Sequence, residues 1–125
     1  MEPKKKILIV DDSKELGSIM QDMLTFKGYE VHVENDGTKA VARALAEKPD
    51  LMLLDLRMPN IHGFDIVKTL REDAWGKTAK ILILTATDSI GDIPPGIGIS
   101  SNDYMMKSVW GIEEVEKRVR SKLAE

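Results

Sequence analysis

The sequence predicts an α/β domain in which a parallel sheet is covered by helices on both faces. Short apolar runs occur five times along the chain, and segments with helical periodicity separate most of them. Three of the runs, at residues 7–10, 51–54 and 81–84, are continuously apolar, as strands buried on both faces require. The other two lie at residues 31–33 and 104–106. Strands that alternate with helices build a parallel sheet.

Four segments carry the apolar spacing of amphipathic helices. After the first strand, apolar residues recur at i, i+3, i+4, i+7 and i+8, and Gly28 suits the end of that helix. These apolar positions are Leu16, Ile19, Met20, Met23 and Leu24. The later helices are marked by Ala40, Val41, Ala44 and Leu45, by Phe64, Val67 and Leu70, and by Ile112, Val115, Val119 and Leu123.

The segment after the fourth strand departs from this repeat. It contains the adjacent prolines Pro94 and Pro95 together with Gly91, Gly96 and Gly98. Proline lacks an amide donor and clashes with the preceding turn, so an ordinary helix is disfavoured here. We therefore expect the fourth helix to be broken, shortened or disordered.

Length and composition set the class of protein. The 125 residues suit one domain, and we expect residues 1–125 to form a single domain with no output domain present. A net charge of -3 argues against direct nucleic-acid binding, which usually needs a basic face. No apolar run approaches the ~18 residues of a membrane span, and the run after Lys4–Lys6 is too short for a signal peptide. With no targeting segment, and with no cysteine, which fits a reducing compartment, we expect a cytoplasmic protein.

Polar residues stand at the ends of the predicted strands. Asp11 and Asp12 follow the first strand, Asp55 the third, Thr85 the fourth and Lys107 the fifth. The carboxyl ends of parallel strands share one edge of the sheet, where ligands bind, so these side chains should converge. Each also has an ordinary structural explanation, such as a helix cap, a solvated strand end or a surface lysine. Their joint occurrence at strand ends favours a site.

Electrostatics indicate which ligand such a site would hold. Two carboxylates 4 Å apart repel by about 4 kcal/mol at an effective dielectric near 20. A hard cation relieves that repulsion, and Mg²⁺ binds through one or two carboxylates while recruiting phosphate oxygens. A lysine and a threonine at the same edge would complete a cradle for a phosphoryl group.

These residues resemble the receiver domain of two-component response regulators over essentially the whole chain. The spacing also agrees, with 30 residues from Asp55 to Thr85 and 22 from Thr85 to Lys107. The resemblance implies a flavodoxin-like (βα)5 sandwich with a five-stranded parallel sheet in the order 2-1-3-4-5. The matching motifs are Asp11-Asp12, Asp55-Leu56-Arg57-Met58-Pro59 followed by Gly63, Thr85-Ala86, and Tyr104-Met105-Met106-Lys107.

The resemblance also implies a signalling function. Asp55 would accept a phosphoryl group from a histidine kinase or phosphotransfer protein in a Mg²⁺-dependent reaction. Asp12, Asp55 and the backbone carbonyl of Arg57 would hold the metal, and Asp11 would act directly or through water. The phosphorylated state would then switch binding to an effector protein or a fused output domain.

The remaining roles implied by the resemblance concern the switch. Lys107 would pair with the acceptor carboxylate and then with the phosphoryl oxygens. Thr85 would move toward the phosphoryl group, and Tyr104 would follow by changing rotamer. Such a domain assists its own phosphorylation and dephosphorylation without being a conventional enzyme.

Two features depart from the family pattern. Ser108 follows Lys107 where the family usually has proline, which favours a trans peptide bond. The Pro/Gly-rich stretch falls where the fourth helix should form part of the output face. We expect residues 88–101 to be mobile and to become ordered on phosphorylation or partner binding.

Two other classes of function compete with phosphoacceptance. A receiver-fold interaction module would bind a partner without phosphorylation turnover, which the altered fourth-helix region and Ser108 would permit. An enzyme of the same topology, such as a flavin carrier or an aspartyl phosphatase, is disfavoured by the loop Asp11-Asp12-Ser13. That loop repels phosphate unless a metal intervenes, and a phosphatase would carry a second aspartate at position 13.

Overall fold

A computed structural model describes residues 3–85, 94–100, 103–106 and 111–125. Five strands form one parallel sheet, and two further strands of two residues each form a small antiparallel hairpin. The sheet strands are β1 (Lys6–Val10), β2 (Glu30–Glu34), β3 (Leu51–Asp55), β6 (Ile81–Thr85) and β7 (Tyr104–Met106). The hairpin strands are β4 (Arg57–Met58) and β5 (Ile61–His62).

The order of the sheet confirms the predicted topology. The strands lie in the order β2-β1-β3-β6-β7, which is 2-1-3-4-5 when the hairpin is left out of the count. Four α-helices occur in the described residues, and single turns of 3₁₀ helix lie at Gly37–Lys39 and Gly76–Thr78. The helices are α1 (Lys14–Phe26), α2 (Ala40–Glu47), α3 (Gly63–Arg71) and α4 (Ile112–Leu123). None of these helices is long and apolar enough to cross a membrane.

Both faces of the sheet are buried, which explains the continuously apolar strands. Alternate residues of each central strand enter two separate hydrophobic clusters. Leu8 and Leu54 belong to the cluster that also contains residues of α2 and α3. Ile9 and Leu53 belong to the cluster that contains residues of α1 and α4. Each fully buried leucine or isoleucine stabilises the fold by about 1.5–3 kcal/mol. The central strands are therefore firmly packed, and the residues at their carboxyl ends are held in fixed positions.

The chain preceding β7 has no α-helix in its described part. Residues 94–100 make a turn and then run toward β7, with positive φ angles at Gly96 and Gly98. Ile97 is buried in the core at 4% exposure, and its carbonyl accepts a 2.7 Å hydrogen bond from Nε of Arg71. This agrees with the prediction that no ordinary helix forms between the fourth and fifth strands of the sheet. The rest of the Pro/Gly-rich stretch, residues 86–93 and 101–102, lies outside the described residues, so its ordering on phosphorylation stays a prediction.

Candidate functional site

Three aspartates meet at the carboxyl edge of the sheet. Asp55 ends β3 and Asp11 directly follows β1, and these two strands are neighbours in parallel register. A carboxylate oxygen from each of Asp11, Asp12 and Asp55 lies within 4.8 Å of the other two. Asp11 and Asp55 are buried, at 1% and 6% exposure, whereas Asp12 is exposed. The structure therefore brings together the three carboxylates that the sequence predicted to converge.

The loop that carries Asp11 is held by hydrogen bonds on several sides. The backbone N–H of Asp11 donates to the carbonyl of Glu34 at 3.1 Å, and the N–H of Ser13 donates to Oδ1 of Asp11 at 2.9 Å. The side chain of Asn35 donates to the Asp11 carbonyl at 2.9 Å. Ser13 also caps α1 by accepting from the N–H of Leu16 at 3.2 Å. These bonds fix the direction in which the acidic pair leaves the sheet.

Asn35 is a residue that the sequence analysis missed. It follows β2, the strand beside β1, and so it lies at the same edge of the sheet as the aspartates. The signal available in the sequence was its place directly after the second strand. An asparagine in that place is also common in turns, so the pattern alone does not distinguish a loop anchor from a turn residue.

The hairpin β4–β5 turns the chain back immediately after Asp55. Its two-residue turn is Pro59-Asn60, in which Asn60 has φ of 72°, a conformation that asparagine tolerates well. The N–H of Gly63 then donates to the Leu56 carbonyl at 2.7 Å, which closes the loop. As a result, α3 begins directly behind the predicted acceptor.

Gly63 shows how closely α3 approaches the acceptor. A Cβ added at Gly63 would lie 2.8 Å from the backbone oxygen of Asp55 and 2.8 Å from Cα of Leu56. Both are backbone atoms that cannot rotate away. Only glycine allows this approach, which gives a packing reason for the glycine that follows the Asp55 motif.

The other predicted site residues are placed in part. Thr85 ends β6 and is paired with Met106 of β7, so its backbone lies at the same edge as the aspartates. Arg57 is in the hairpin, paired with His62. The side chains of Thr85 and Arg57, like all of Lys107, lie outside what the structure describes.

Tyr104, the second predicted switch residue, begins β7. It is paired with Ile83 of β6, two residues before Thr85. Its side chain is partly buried and packs against the hydrophobic cluster on the α2–α3 side of the sheet. Tyr104 therefore lies on the strand next to Thr85.

The aspartate cluster has the donor set of a divalent cation site. At 4.8 Å, two carboxylates repel by about 3.5 kcal/mol at an effective dielectric of about 20, and by about 0.9 kcal/mol in water. Oxygen ligands of this kind fit the hard cations Mg²⁺ and Ca²⁺. Mg²⁺ suits a site with few protein carboxylates, because it retains several of its waters.

The fold and the cluster together define a class, namely α/β domains that carry an acidic pocket at the carboxyl edge of a parallel sheet. Residues 7–120 match the response regulator receiver domain family. The chain therefore belongs to the receiver domain family of two-component response regulators. Domains of this family are signalling modules that bind Mg²⁺ at an acidic pocket, and the described cluster corresponds to such a pocket.

Individual proteins that are similar to this chain are also response regulators. The response regulator MprA of Mycobacterium leprae is 34% identical over 118 residues, which cover 94% of this chain and 50% of MprA. The chain thus spans about half the length of the curated relatives it matches.

Among solved structures, the chemotaxis response regulator CheY4 of Vibrio cholerae superposes with a TM-score of 0.85 at 29% identity, covering 96% of this chain and 99% of CheY4. The receiver domain of the sensor histidine kinase PA1611 from Pseudomonas aeruginosa superposes with a TM-score of 0.84 at 27% identity. That alignment covers 98% of this chain and 100% of the PA1611 domain, and the latter has a magnesium ion coordinated in its active site cleft.

Proposed function

We propose that this chain is a signalling phosphoacceptor in which Asp55 takes a phosphoryl group from a histidine kinase or phosphotransfer protein. The observation that carries the proposal is the cluster of Asp11, Asp12 and Asp55 within 4.8 Å at the carboxyl edge of the sheet. A buried carboxylate beside two others favours the binding of a cation, and a cation bound there would also attract phosphate oxygens. The same pocket thereby brings acceptor and donor together.

The chemistry proposed for Asp55 is an in-line displacement. A carboxylate oxygen of Asp55 forms a bond to phosphorus as the bond from phosphorus to the donor nitrogen breaks, and the donor imidazole leaves with that electron pair. Mg²⁺ would neutralise the charge on the phosphoryl oxygens. We assign its protein ligands to Asp12, Asp55 and the Arg57 carbonyl, with Asp11 bound directly or through water.

The proposed output is a charge-driven switch. Phosphorylation adds a charge of about −1.5 to −2 and three strong acceptor oxygens. We assign Lys107 and Thr85 as donors to those oxygens, and Tyr104 as the side chain that follows Thr85. The change would alter binding to an effector protein or to a fused output domain, within the cytoplasm.

Labelling with a small phosphodonor tests this function. The protein is incubated with Mg²⁺ and acetyl phosphate, and its intact mass is compared with that of Asp55→Asn. Addition of one phosphoryl group to the wild type, and none to the variant, is the expected result. A labelled Asp55→Asn would refute the assignment of the acceptor.

A second candidate is a receiver-fold module that binds its partner without phosphorylation turnover. The observation that favours it is the lack of a helix in residues 94–100, a part of the fold that commonly contributes to output. Under this hypothesis, neither acetyl phosphate nor a set of phosphorylated histidine kinases would label a folded wild-type protein. Labelling by any of these donors would exclude it.

A further inference from the structure

The 3₁₀ turn after β2 packs directly against the hairpin that follows the acceptor. A Cβ built on Gly37 would lie 2.6 Å from Cγ2 of Ile61, 3.1 Å from Cε of Met58 and 3.3 Å from Sδ of Met58. Gly37 is buried, and Met58 is nearly so, at 8% exposure. The turn and the hairpin therefore touch at a place where one additional methyl group does not fit.

Packing, rather than backbone conformation, accounts for the glycine at this position. Gly37 does not have the positive φ that is found at Gly28, Gly96 and Gly98. Alanine would suit the backbone of Gly37, so the contact with the hairpin is what an alanine would disturb.

The two sides of this contact differ in how easily they can move. Asp36 holds the turn by accepting from the N–H of Thr38 at 2.9 Å and from its hydroxyl at 2.6 Å. The turn leads directly into α2 at Ala40, which is fully buried. The hairpin, by contrast, has only two residue pairs, Arg57 with His62 and Met58 with Ile61. A methyl group at position 37 would therefore displace the hairpin more easily than the turn.

The displacement would reach Arg57 through the backbone. Met58 has a flexible side chain that can move aside, but Cγ2 of Ile61 is attached to a branched Cβ with restricted rotation. Moving Ile61 moves Met58, its partner in the hairpin, and Arg57 is the next residue along that strand. The Arg57 backbone thus depends on how closely the hairpin approaches the turn.

We propose that Gly37 is a positioning residue that sets the place of the Arg57 backbone carbonyl relative to Asp11, Asp12 and Asp55. The proposal rests on the proposed function, which makes this carbonyl a Mg²⁺ ligand. Substitution of residues that orient metal ligands commonly lowers metal affinity by about 10–100-fold. We therefore expect Gly37→Ala to weaken Mg²⁺ binding by about ten-fold.

Titration calorimetry with Mg²⁺ on the whole chain tests the proposal with matched variants. Gly111→Ala is the control, because a Cβ at Gly111 meets nothing within 4 Å. Ile61→Ala opens the same contact from the hairpin side and should weaken Mg²⁺ binding by less than the roughly ten-fold expected of Gly37→Ala. Combining Ile61→Ala with Gly37→Ala makes room for the new methyl group, so the double variant should bind Mg²⁺ more tightly than Gly37→Ala alone.

Metal-free amide spectra of the same variants report on the hairpin itself. Gly37→Ala should shift the Arg57 and His62 amide resonances, and Gly111→Ala should leave them unchanged. A folded Gly37→Ala protein with wild-type Mg²⁺ affinity would overturn the proposal, and so would a double variant that binds no better than Gly37→Ala. If Gly37→Ala does not fold, the double variant is compared with Ile61→Ala: the methyl group at position 37 refills the space that Ile61→Ala opens, so the double variant should bind Mg²⁺ more tightly, and equal binding would overturn the proposal.

The two proposals fail in different ways. A wild-type chain that binds no Mg²⁺ would overturn the proposed function and the metal-positioning role together. The metal-free spectra would then still show whether Gly37 determines the position of the hairpin. Normal Mg²⁺ binding by both wild type and Gly37→Ala would overturn only the role of Gly37.

Discussion

Replacing Asp12 with alanine should stabilise the metal-free protein while removing most of its stabilisation by Mg²⁺. Asp12 is the exposed member of the aspartate cluster, and its carboxylate lies within 4.8 Å of those of Asp11 and Asp55. The substitution removes two repulsive pairs but leaves α1 capped by Ser13. It therefore separates the electrostatic cost of the cluster from the folding of the loop.

The magnitude follows from the exposure of Asp12. Each pair repels by about 0.9 kcal/mol in water and about 3.5 kcal/mol at an effective dielectric of about 20. Because Asp12 is solvated, the value in water applies more closely, which gives about 2 kcal/mol for the two pairs. Loss of a carboxylate near the start of α1 costs about 0.3–1 kcal/mol through the helix dipole. The expected net gain is about 1 kcal/mol, or roughly 4 °C in Tm for a chain of this size.

Thermal unfolding in EDTA and in Mg²⁺ measures both effects. Asp65→Ala is the control, since Asp65 is an exposed acidic residue in the first turn of α3 and lies outside the cluster. It should lose the dipole contribution only, and Mg²⁺ should stabilise it as it does the wild type. A lower Tm for Asp12→Ala in EDTA, or equal stabilisation of Asp12→Ala and wild type by Mg²⁺, would refute the reasoning.

Three further predictions concern stability. Burial raises the pKa of Asp103, but hydrogen bonds from Lys122 and Ser100 and the positive charge of Lys122 outweigh it, so the pKa is lowered overall. The stabilisation that ionised Asp103 gives the fold is therefore present above its unfolded pKa of about 3.9 and is lost as pH falls through the lower folded pKa. Asp103→Asn should cost about 2 kcal/mol at neutral pH and flatten the acid limb of a plot of Tm against pH, because Lys122 is 9% exposed; an unchanged acid limb would contradict this. Gly63→Ala should lower both Tm and phosphorylation rate, measured by unfolding and by mass labelling, because its Cβ meets backbone atoms beside the acceptor. Val119→Ala should cost about 2 kcal/mol in denaturant unfolding with no change in labelling, because Val119 is fully buried in the cluster on the α1–α4 side.

The sheet and the acidic cluster could be predicted because both follow from local patterns. Continuously apolar runs can be recognised without knowledge of their neighbours, and the topology of a parallel sheet brings the strand ends to one edge. Asp11, Asp12 and Asp55 converge for that reason. The hairpin β4–β5 was not predicted, because strands of two residues have no periodicity. The contact of Gly37 with Ile61 was missed because it joins residues distant in sequence.

The region before β7 shows how far a local pattern determines structure. Prolines and glycines indicated that an ordinary helix would not form, but they do not indicate which groups satisfy the backbone instead. In the structure, the side chain of Arg71 satisfies one of these backbone groups, the carbonyl of Ile97. Its guanidinium donates to the carbonyls of Gly76, Ala79 and Ile97, which ties α3 to the start of β6 and to residues 94–100.

Burial lowers the pKa of Arg71, with Asp103 opposing that effect, yet an arginine in a protein keeps its charge, so the three bonds last across the pH range. Arg71 thus connects the described part of the unusual segment to α3, the helix that begins behind Asp55. A displacement of α3 on phosphorylation would therefore reach residues 94–100 through the Arg71 side chain. Under the proposed function, an output surface that includes this segment would not need a regular helix before β7 to respond to the acceptor.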